Sequence, residues 1–320
     1  MAGGEERALR RRIRSVQSTK KITKAMELIA ASRIVRAQQR VLAARPYSDQ
    51  VLQVLHHLSQ GGAASVSPLL LPRPDDQVRT VEYVVMAGDR GLSGAFNTGN
   101  IRTAELAINA ERAAGRDVVL VTVGKKAESY FRFRKYAIAA AINGIVDRPT
   151  YEDARRVAAE VLPRFEDGDI QRVQLVYTEF LSAGSQRVVN RRFLPLDAAA
   201  MGLSTERDDH DGPSSDYEYE PDPTEILDAL LPRYVEARLF GALLSSSASF
   251  FAAQQRAMAS ASDNADELIT KLTRLRNRAR QDAITTEIME IVGGAEALKG
   301  GGVDADHAAD IQLKVAHDAA

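Results

Sequence analysis

The chain has 320 residues and a net charge of −1, with 45% hydrophobic and 27% charged residues, a balance that predicts a folded protein with one globular core and an extended element besides. Cysteine is absent, which excludes a disulfide framework, thiolate metal sites and cysteine nucleophiles. No apolar run approaches the roughly 20 residues of a membrane-spanning helix, and the start, MAGGEERALRRRIRS, lacks the apolar centre of a signal peptide, so the chain reads as cytoplasmic and non-spanning.

Residues 1–45 hold twelve Lys or Arg against three Glu, a local +9 that leaves −10 for the rest. A block this basic points to an acidic partner surface on nucleic acid, anionic lipid or another protein. After Gly4 no glycine occurs up to residue 58, and Pro46 is the one proline. Apolar residues recur at three- and four-residue steps through Leu9, Ile13, Val16, Ile22, Met26 and Ile29, continue through Ile34, Ala37 and Val41, and resume at Val51, Leu55 and Leu58. This is helical periodicity, and at the standard rise the helix extends roughly 80 Å, too long to be buried in one domain. Pro46 is expected to kink it.

Residues 61–77 form a connection punctuated by Gly and Pro. Short β-branched runs then alternate with helical stretches: strands at 80–86, 117–123 and 137–146, helices near 98–114 and 151–165. Such alternation predicts βαβ units and a mainly parallel sheet, closed by a hairpin of 172–180 and 187–194. Residues 204–222 are acidic and turn-rich and read as a linker. Asp222-Pro223-Thr224-Glu225 is a helix start, with an N-cap acid and proline at the first helical position. The second long helix is expected to run to Val292 and stop at Gly293-Gly294, with Phe251, Met258, Ala265, Leu268, Leu272 and Leu275 on its apolar face.

The fold class is therefore α/β plus a long coiled coil: an antiparallel coiled coil of the N- and C-terminal helices with a central Rossmann-like α/β domain. The expected divisions are 4–58 and 223–298 for the coiled-coil helices, 78–204 for the α/β domain and 299–320 for an unassigned tail.

Gly88-Asp-Arg-Gly91-Leu-Ser-Gly94 follows a strand and precedes a helix, but its GxxGxxG spacing is not that of a dinucleotide loop, and the second strand ends in Gly124-Lys125-Lys126 without an acid to hold a ribose. No GxxxxGK[ST] occurs. The five histidines form no metal-ligand set, and Asp304, Asp306, His307 and Asp310 read as a solvated tail. Ser93 and Ser245 to Ser247 have no histidine nearby in sequence. No catalytic, cofactor-binding or metal-binding residues are nominated.

Ile13-Arg-Ser-Val-Gln-Ser-Thr-Lys-Lys-Ile-Thr-Lys-Ala-Met-Glu-Leu28 with Ala30-Ala-Ser32, Asp89 to Asn97, Leu231-Pro-Arg-Tyr234, Asn277 to Gln281, Ile284-Thr285 and Glu290 to Gly294 occur in one order along the chain. Together they resemble the gamma subunits of F-type ATP synthases over about residues 4–298. The resemblance implies a rotating central shaft without chemistry of its own, needing no cofactor and present in one copy. It implies partners in the alpha and beta subunits of a hexamer, the epsilon subunit and the membrane c-ring, no nucleic acid, and a peripheral place on the cytoplasmic face of the cell membrane. It also places Lys20, Lys21, Lys24, Met26, Gln281 and Thr285 at moving contacts with the hexamer. Three positions depart from the family's usual residues: Phe250 and Gln254 stand where Glu and Arg are usual, and Ser93 where Cys is usual. The resemblance further sets Met26 level with Gln254. Paired residue numbers then sum to 280, with Ile13 beside Leu268 and Ile34 beside Ser246. Two other readings stay open: a nucleotide-dependent enzyme on the α/β block, and a basic coiled-coil adaptor for nucleic acid or membrane.

Overall fold

Between Gly4 and the glycines at 61–62 only Pro46 disturbs helical hydrogen bonding, and the chain folds there as one helix, α1 (Ala2–Gln60), which continues through the proline. The structure is a computed structural model that describes residues 2–60, 67–71, 73–197, 220 and 222–300. After a 3-10 turn come β1 (Thr80–Met86), α2 (Phe96–Ala113), β2 (Asp117–Val123), α3 (Lys125–Phe133), β3 (Ile138–Ile142), α4 (Tyr151–Glu166), β4 (Arg172–Phe180), β5 (Gln186–Leu194) and α5 (Pro223–Gly300). The acidic linker, apart from residues 220 and 222, and positions 301–320 of the expected tail lie outside the described residues. The chain divides into two compact units, Met1–Thr23 with Ala261–Ala320, and Lys24–Ser260.

In the first unit the start of α1 pairs with the latter part of α5. The Thr23 and Ser262 hydroxyls are 2.8 Å apart, and Lys20 Nζ donates to Asp266 Oδ1 at 2.6 Å. Lower numbers on one helix meet higher numbers on the other, so the pair is antiparallel. The paired numbers sum to about 285, not the expected 280, which moves the partner of Ile13 from Leu268 to Leu272. Burial agrees: Ile13 is 6% and Leu272 4% exposed, whereas Leu268 is 36% exposed. On α5 a row of less exposed positions runs through Ser262, Ala265, Ile269, Leu272, Arg276, Ala279 and Ala283 in alternating steps of three and four, with Ala261 and Thr273 half-buried beside it. That 3.5-residue repeat is the seam of a coiled coil. Leu275, expected on this face, is exposed, and so is Ile22 on α1, where Lys20 and Thr23 occupy the seam instead. With a sum of 285, α5 residues beyond about Gln281 have no α1 residue at their level, and Ile284, Ile288, Ile291 and Leu298 are exposed there. The helix also passes through Gly293-Gly294, where the sequence reading ended it.

The second unit holds a five-stranded sheet in the order β3-β2-β1-β4-β5. The first four strands are parallel and β5 runs antiparallel to β4. Side chains alternate across the sheet at period two. Val84, Met86, Val121, Val123 and Leu175 face α4 together with Leu55 and Leu58 of α1 and Leu231, Val235 and Leu239 of α5. Val81, Tyr83, Val85, Leu120 and Val176 face α2 and α3. Tyr151 at the start of α4 donates to Glu236 of α5 at 2.8 Å and meets the ring of Tyr47 in α1 edge-on. The strand expected at 137–146 is shorter, because Asn143-Gly144 turns the chain, Gly144 with φ 83°. Helix α3 was not anticipated. Its start depends on Gly124 (φ 94°), where an added Cβ would lie 2.0 Å from the Ala87 carbonyl oxygen.

Glu82 of β1 is fully buried on the α4 side of the sheet. Arg164 Nε donates to its Oε2 at 3.0 Å, while Oε1 is buried without a hydrogen-bond partner. Burial outweighs the attraction of Arg164 and pushes the Glu82 carboxyl from 4.5 up to about 7. The folded state therefore holds a proton that the unfolded chain has released between these values. Its stabilisation is complete below about 4.5 and is lost as pH rises through about 7. Thermal melts should show stability falling between pH 5 and pH 7.5 by more in the native chain than in Glu82→Gln, whose neutral amide has no such proton to lose; parallel profiles for the two proteins would contradict this assignment.

The register is equally open to test, because the chain has no native cysteine. Thr23→Cys with Ser262→Cys should oxidise to a disulfide, since the hydroxyls they replace are in contact. Ile13→Cys should cross-link to Leu272→Cys in preference to Leu268→Cys; the reverse preference would restore the sum of 280.

Candidate functional site: a filled crevice and an exposed helical surface

In an open parallel sheet, ligands bind outside the carboxyl ends of the strands, where the strand order reverses. Here that point lies at the ends of β1 and β4. The loop after β1, residues 88–95, is the element a dinucleotide's pyrophosphate would approach. Asn97 of α2 bonds to it from within the chain: Gly88 N donates to Asn97 Oδ1 at 2.7 Å, and Asn97 Nδ2 donates to the Arg90 carbonyl and to Ser93 Oγ. Beneath it, Asn100 Nδ2 donates to the Met86 carbonyl, and Thr178 donates to Asn100 Oδ1 at 2.8 Å. Asp89 Oδ1 accepts from Lys125 N and Gly144 N, joining the loop to α3 and to the end of β3.

What fills the crevice is α5. The Phe250 ring is 1% exposed and packs edge-on against Phe96, at 5.5 Å, and Phe251, at 5.4 Å. A Cβ placed on Gly88 would lie 2.8 Å from Phe250 Cε2, so glycine is what lets the ring reach the backbone. Ser245 Oγ accepts from Phe180 N at 2.7 Å, and Ser249 donates to the Thr178 carbonyl at 3.1 Å, so the helix also caps the end of β4. The ring thus stands where a dinucleotide would come closest to the chain. A second set of contacts surrounds it: Asp147 pairs with Arg90 and lies 3.9 Å from Arg33 of α1, whose guanidinium is 5.3 Å from the Phe251 centroid. The Phe250 ring is therefore an apolar lock. Ser93, 1% exposed, is an acceptor for Asn97, and half-buried Gln254 lies one turn beyond Phe250.

The six nominated contact residues do not form one cluster. In the first unit, Lys20 is paired with Asp266, and Lys21 is exposed with no ion pair among the described residues. Gln281 and Thr285 are exposed on α5, the Thr285 hydroxyl donating to the Gln281 carbonyl at 3.0 Å. With the register found, Gln281 lies sixteen residues along α5 from the level of Lys20, roughly 24 Å at the standard rise. In the second unit, Lys24 pairs with Glu27 at 3.0 Å and Met26 is half-buried. The sequence reading does not identify an exposed apolar ridge on α1: Leu28, Ile29, Val35 and Leu42 are each more than half exposed, and of these it places only Ile29 on the apolar stripe, while Ile34 and Ala37 are buried as expected and Ala30 is buried as well. The strict 3.5-residue spacing carried the signal for the correct assignment.

Among the described residues no group of three or more His, Asp or Glu is placed to hold a metal ion, and no helix is long and apolar enough to cross a membrane. A doubly covered α/β sheet whose crevice is filled by the chain's own helix, in a chain that also forms an antiparallel helical pair, defines a helix-anchoring α/β protein. The model of the ATP synthase family matches residues 5–298. An ATP synthase gamma chain of Parafrankia is 46% identical over 304 residues, covering 93% of this chain and 99% of its own length. The chain belongs to the ATP synthase gamma chain family. Its fold is also that of a chain in the Euglena gracilis mitochondrial ATP synthase assembly of OSCP, F1 and c-ring, with TM-score 0.65, 20% identity and coverage of 94% and 96%. A chain of the central stalk and c-ring structure from Tetrahymena thermophila gives TM-score 0.55 and 24% identity, over 75% of this chain and 99% of that one.

Removing the Phe250 ring should cost the α/β unit about 3–5 kcal/mol, the usual range for deleting a buried phenylalanine. Phe250→Glu should cost more, because it buries a carboxylate among rings, and Gln254→Arg should recover part of that loss from one turn away. Chemical denaturation of the single and double variants measures this; Phe250→Glu as stable as the native chain would mean that the ring does not hold the helix.

Proposed function

We propose that this chain is the central-stalk rotor subunit of an F-type ATP synthase, performing no covalent chemistry and coupling rotation of an ion-driven membrane ring to ATP synthesis or hydrolysis in a surrounding alpha-beta hexamer. The observation that carries the reading is the filled crevice. A fold that elsewhere holds a nucleotide here grips a helix, through Phe250, Ser245 and Ser249, and the gripped helix continues for about fifty residues beyond Phe250, the residue that meets Gly88, to Gly300. Torque applied to the sheet has a path into α5 through that grip.

A shaft that drives three equivalent sites through different states must itself be asymmetric, which two unequal packed helices satisfy. The hexamer would meet the basic and apolar surface of the pair. Lys20, Lys21 and Lys24 would face acidic groups at short range, with Met26, Gln281 and Thr285 at further moving contacts. The exposed apolar end of α5, at Ile284, Ile288, Ile291 and Leu298, suits a low-friction apolar collar, because it offers no directional bond to break at each step. The α/β unit would take the epsilon subunit and the c-ring, which sets the chain peripherally on the cytoplasmic face of the membrane. The central stalk named for the Tetrahymena chain and the gamma chain name of the Parafrankia relative support this assignment.

Co-purification under mild conditions should return one copy with three alpha and three beta subunits. In that complex, reversing Lys20, Lys21 and Lys24 to Glu should lower ATP-driven proton pumping far more than ATP hydrolysis. The folding cost should be small, since the ion pairs of Lys20 and Lys24 are exposed and each is worth about 0–1 kcal/mol. Unchanged pumping in an assembled triple variant would remove these residues from the moving contact, and ATP turnover by the purified chain alone would overturn the non-catalytic role.

A further inference from the structure

One cleft of the α/β unit has no part in gripping α5 at the crevice. Tyr177 of β4, Arg191, Arg192 and Phe193 of β5, and Arg238 and Gly241 of α5 line an open cavity of about 240 Å³. Two of its three arginines have carboxylates nearby: Arg191 Nη2 lies 2.9 Å from Glu179, and Arg192 lies 3.9 Å from exposed Asp197. Arg238 has no ion pair among the described residues. Its guanidinium is held instead by rings, 5.3 Å from the Phe193 centroid and 5.8 Å from that of Tyr234. Ring contacts of this kind fix a guanidinium while leaving its fork of N–H donors available.

Gly241 adds a second, independent observation. Glycine is among the least favourable residues in a helix interior, and a Cβ at this position would meet nothing within 4 Å. Packing does not demand glycine there; its effect is to leave the cavity open along α5. Burial pushes the Tyr177 hydroxyl above its usual range, against the pull of Arg191 and Arg238, so it stays a neutral donor at physiological pH. The cavity thus presents cationic forks, a phenolic donor and an aromatic wall, and is smaller than the ~300 Å³ at which sites for whole cofactors begin.

We infer that this cleft is a binding site for a single phosphate-type oxyanion, clamped by Arg238 and attracted by Arg191 and Arg192. The inference is independent of the rotor assignment. A planar guanidinium matches phosphate oxygens two at a time. Glu179, held below the usual carboxylate range by Arg187 and Arg191 despite partial burial, offsets one of the charges and keeps the site from being a general anion trap. The phosphate can come free in solution or as the headgroup of an anionic lipid.

Titration of the full chain with inorganic phosphate in chloride buffer, and sedimentation with phosphatidylglycerol or phosphatidylcholine vesicles, tests the site and separates the two sources. Arg238→Met keeps the ring contact and loses the fork; Gly241→Leu fills the cavity without touching charge. Each should weaken binding about tenfold or more, as loss of one charge-assisted clamp implies. Arg112→Met is the control, because Arg112 is also stacked, 4.5 Å over Tyr136, away from the cleft; it should change affinity less than about twofold, the effect of an exposed charge. Arg238→Lys, with charge but no fork, should fall between and serves if Arg238→Met does not fold. Saturable phosphate binding with no phosphatidylglycerol preference identifies free phosphate; a phosphatidylglycerol preference that Arg238→Met and Gly241→Leu abolish identifies the headgroup. Binding to neither ligand overturns the site, as does equal weakening in Arg112→Met and Arg238→Met, or full affinity in Gly241→Leu.

Discussion

The contact of Phe250 with Gly88 is the constraint around which the α/β unit is arranged. The ring reaches backbone only because residue 88 has no side chain, and Asn97 holds the loop carrying Gly88 in shape by accepting from Gly88 N and donating to the Arg90 carbonyl and Ser93 Oγ. Asp89 then fixes the same loop to α3 and to the end of β3. Each of these groups is of a kind that phosphate-binding folds direct at a ligand. In this chain they are directed inward, at α5 and at one another, so the sheet's usual site of chemistry has become the seat of a helix.

A seat made of rings and buried hydroxyls resists displacement in a way that a surface ion pair does not. Phe96, Phe250 and Phe251 are buried, with Phe250 edge-on to each of the other two, and such pairs add about 0.5–1.5 kcal/mol beyond the area they bury. Exposed salt bridges, by contrast, are worth about 0–1 kcal/mol each and weaken with salt. The grip on α5 is thus largely independent of ionic conditions, whereas the helical pair, with Lys20, Thr23 and Arg276 in or beside its seam, is sparsely apolar.

The seam itself illustrates how a coiled coil tolerates polarity. Thr23 and Ser262 bond to each other where they are buried, so neither hydroxyl loses its water without replacement. Because hydrogen bonds are directional, this pair fixes the register more sharply than two alanines would. The apolar residues it displaces from the seam, Ile22 first among them, become available outside.

Much of this was legible in the sequence. The bounds of β1, β2 and β4 follow from β-branched runs ended by Gly, Asp or Arg-rich turns, and the start of α5 from Asp222-Pro223, where Asp222 does accept from Thr224 N at 2.8 Å. The two long helices follow from uninterrupted periodicity, and membership of the gamma chain family from separated motifs in order. The seam residues Ile13, Val16, Ile34, Met258, Ala265 and Leu272 were readable as well. What periodicity misassigned were Ile22, Ile29, Leu268 and Leu275, because hydrophobicity was weighed above strict 3.5-residue spacing, and only a facing helix determines which of two adjacent apolar residues lies between the backbones. The register shift of five, the filling of the crevice by Phe250 and the buried pairing of Glu82 with Arg164 were decided by tertiary structure alone. Each depends on the distance between residues far apart in the chain, and local sequence fixes which way a side chain leaves its own backbone but not what stands opposite it.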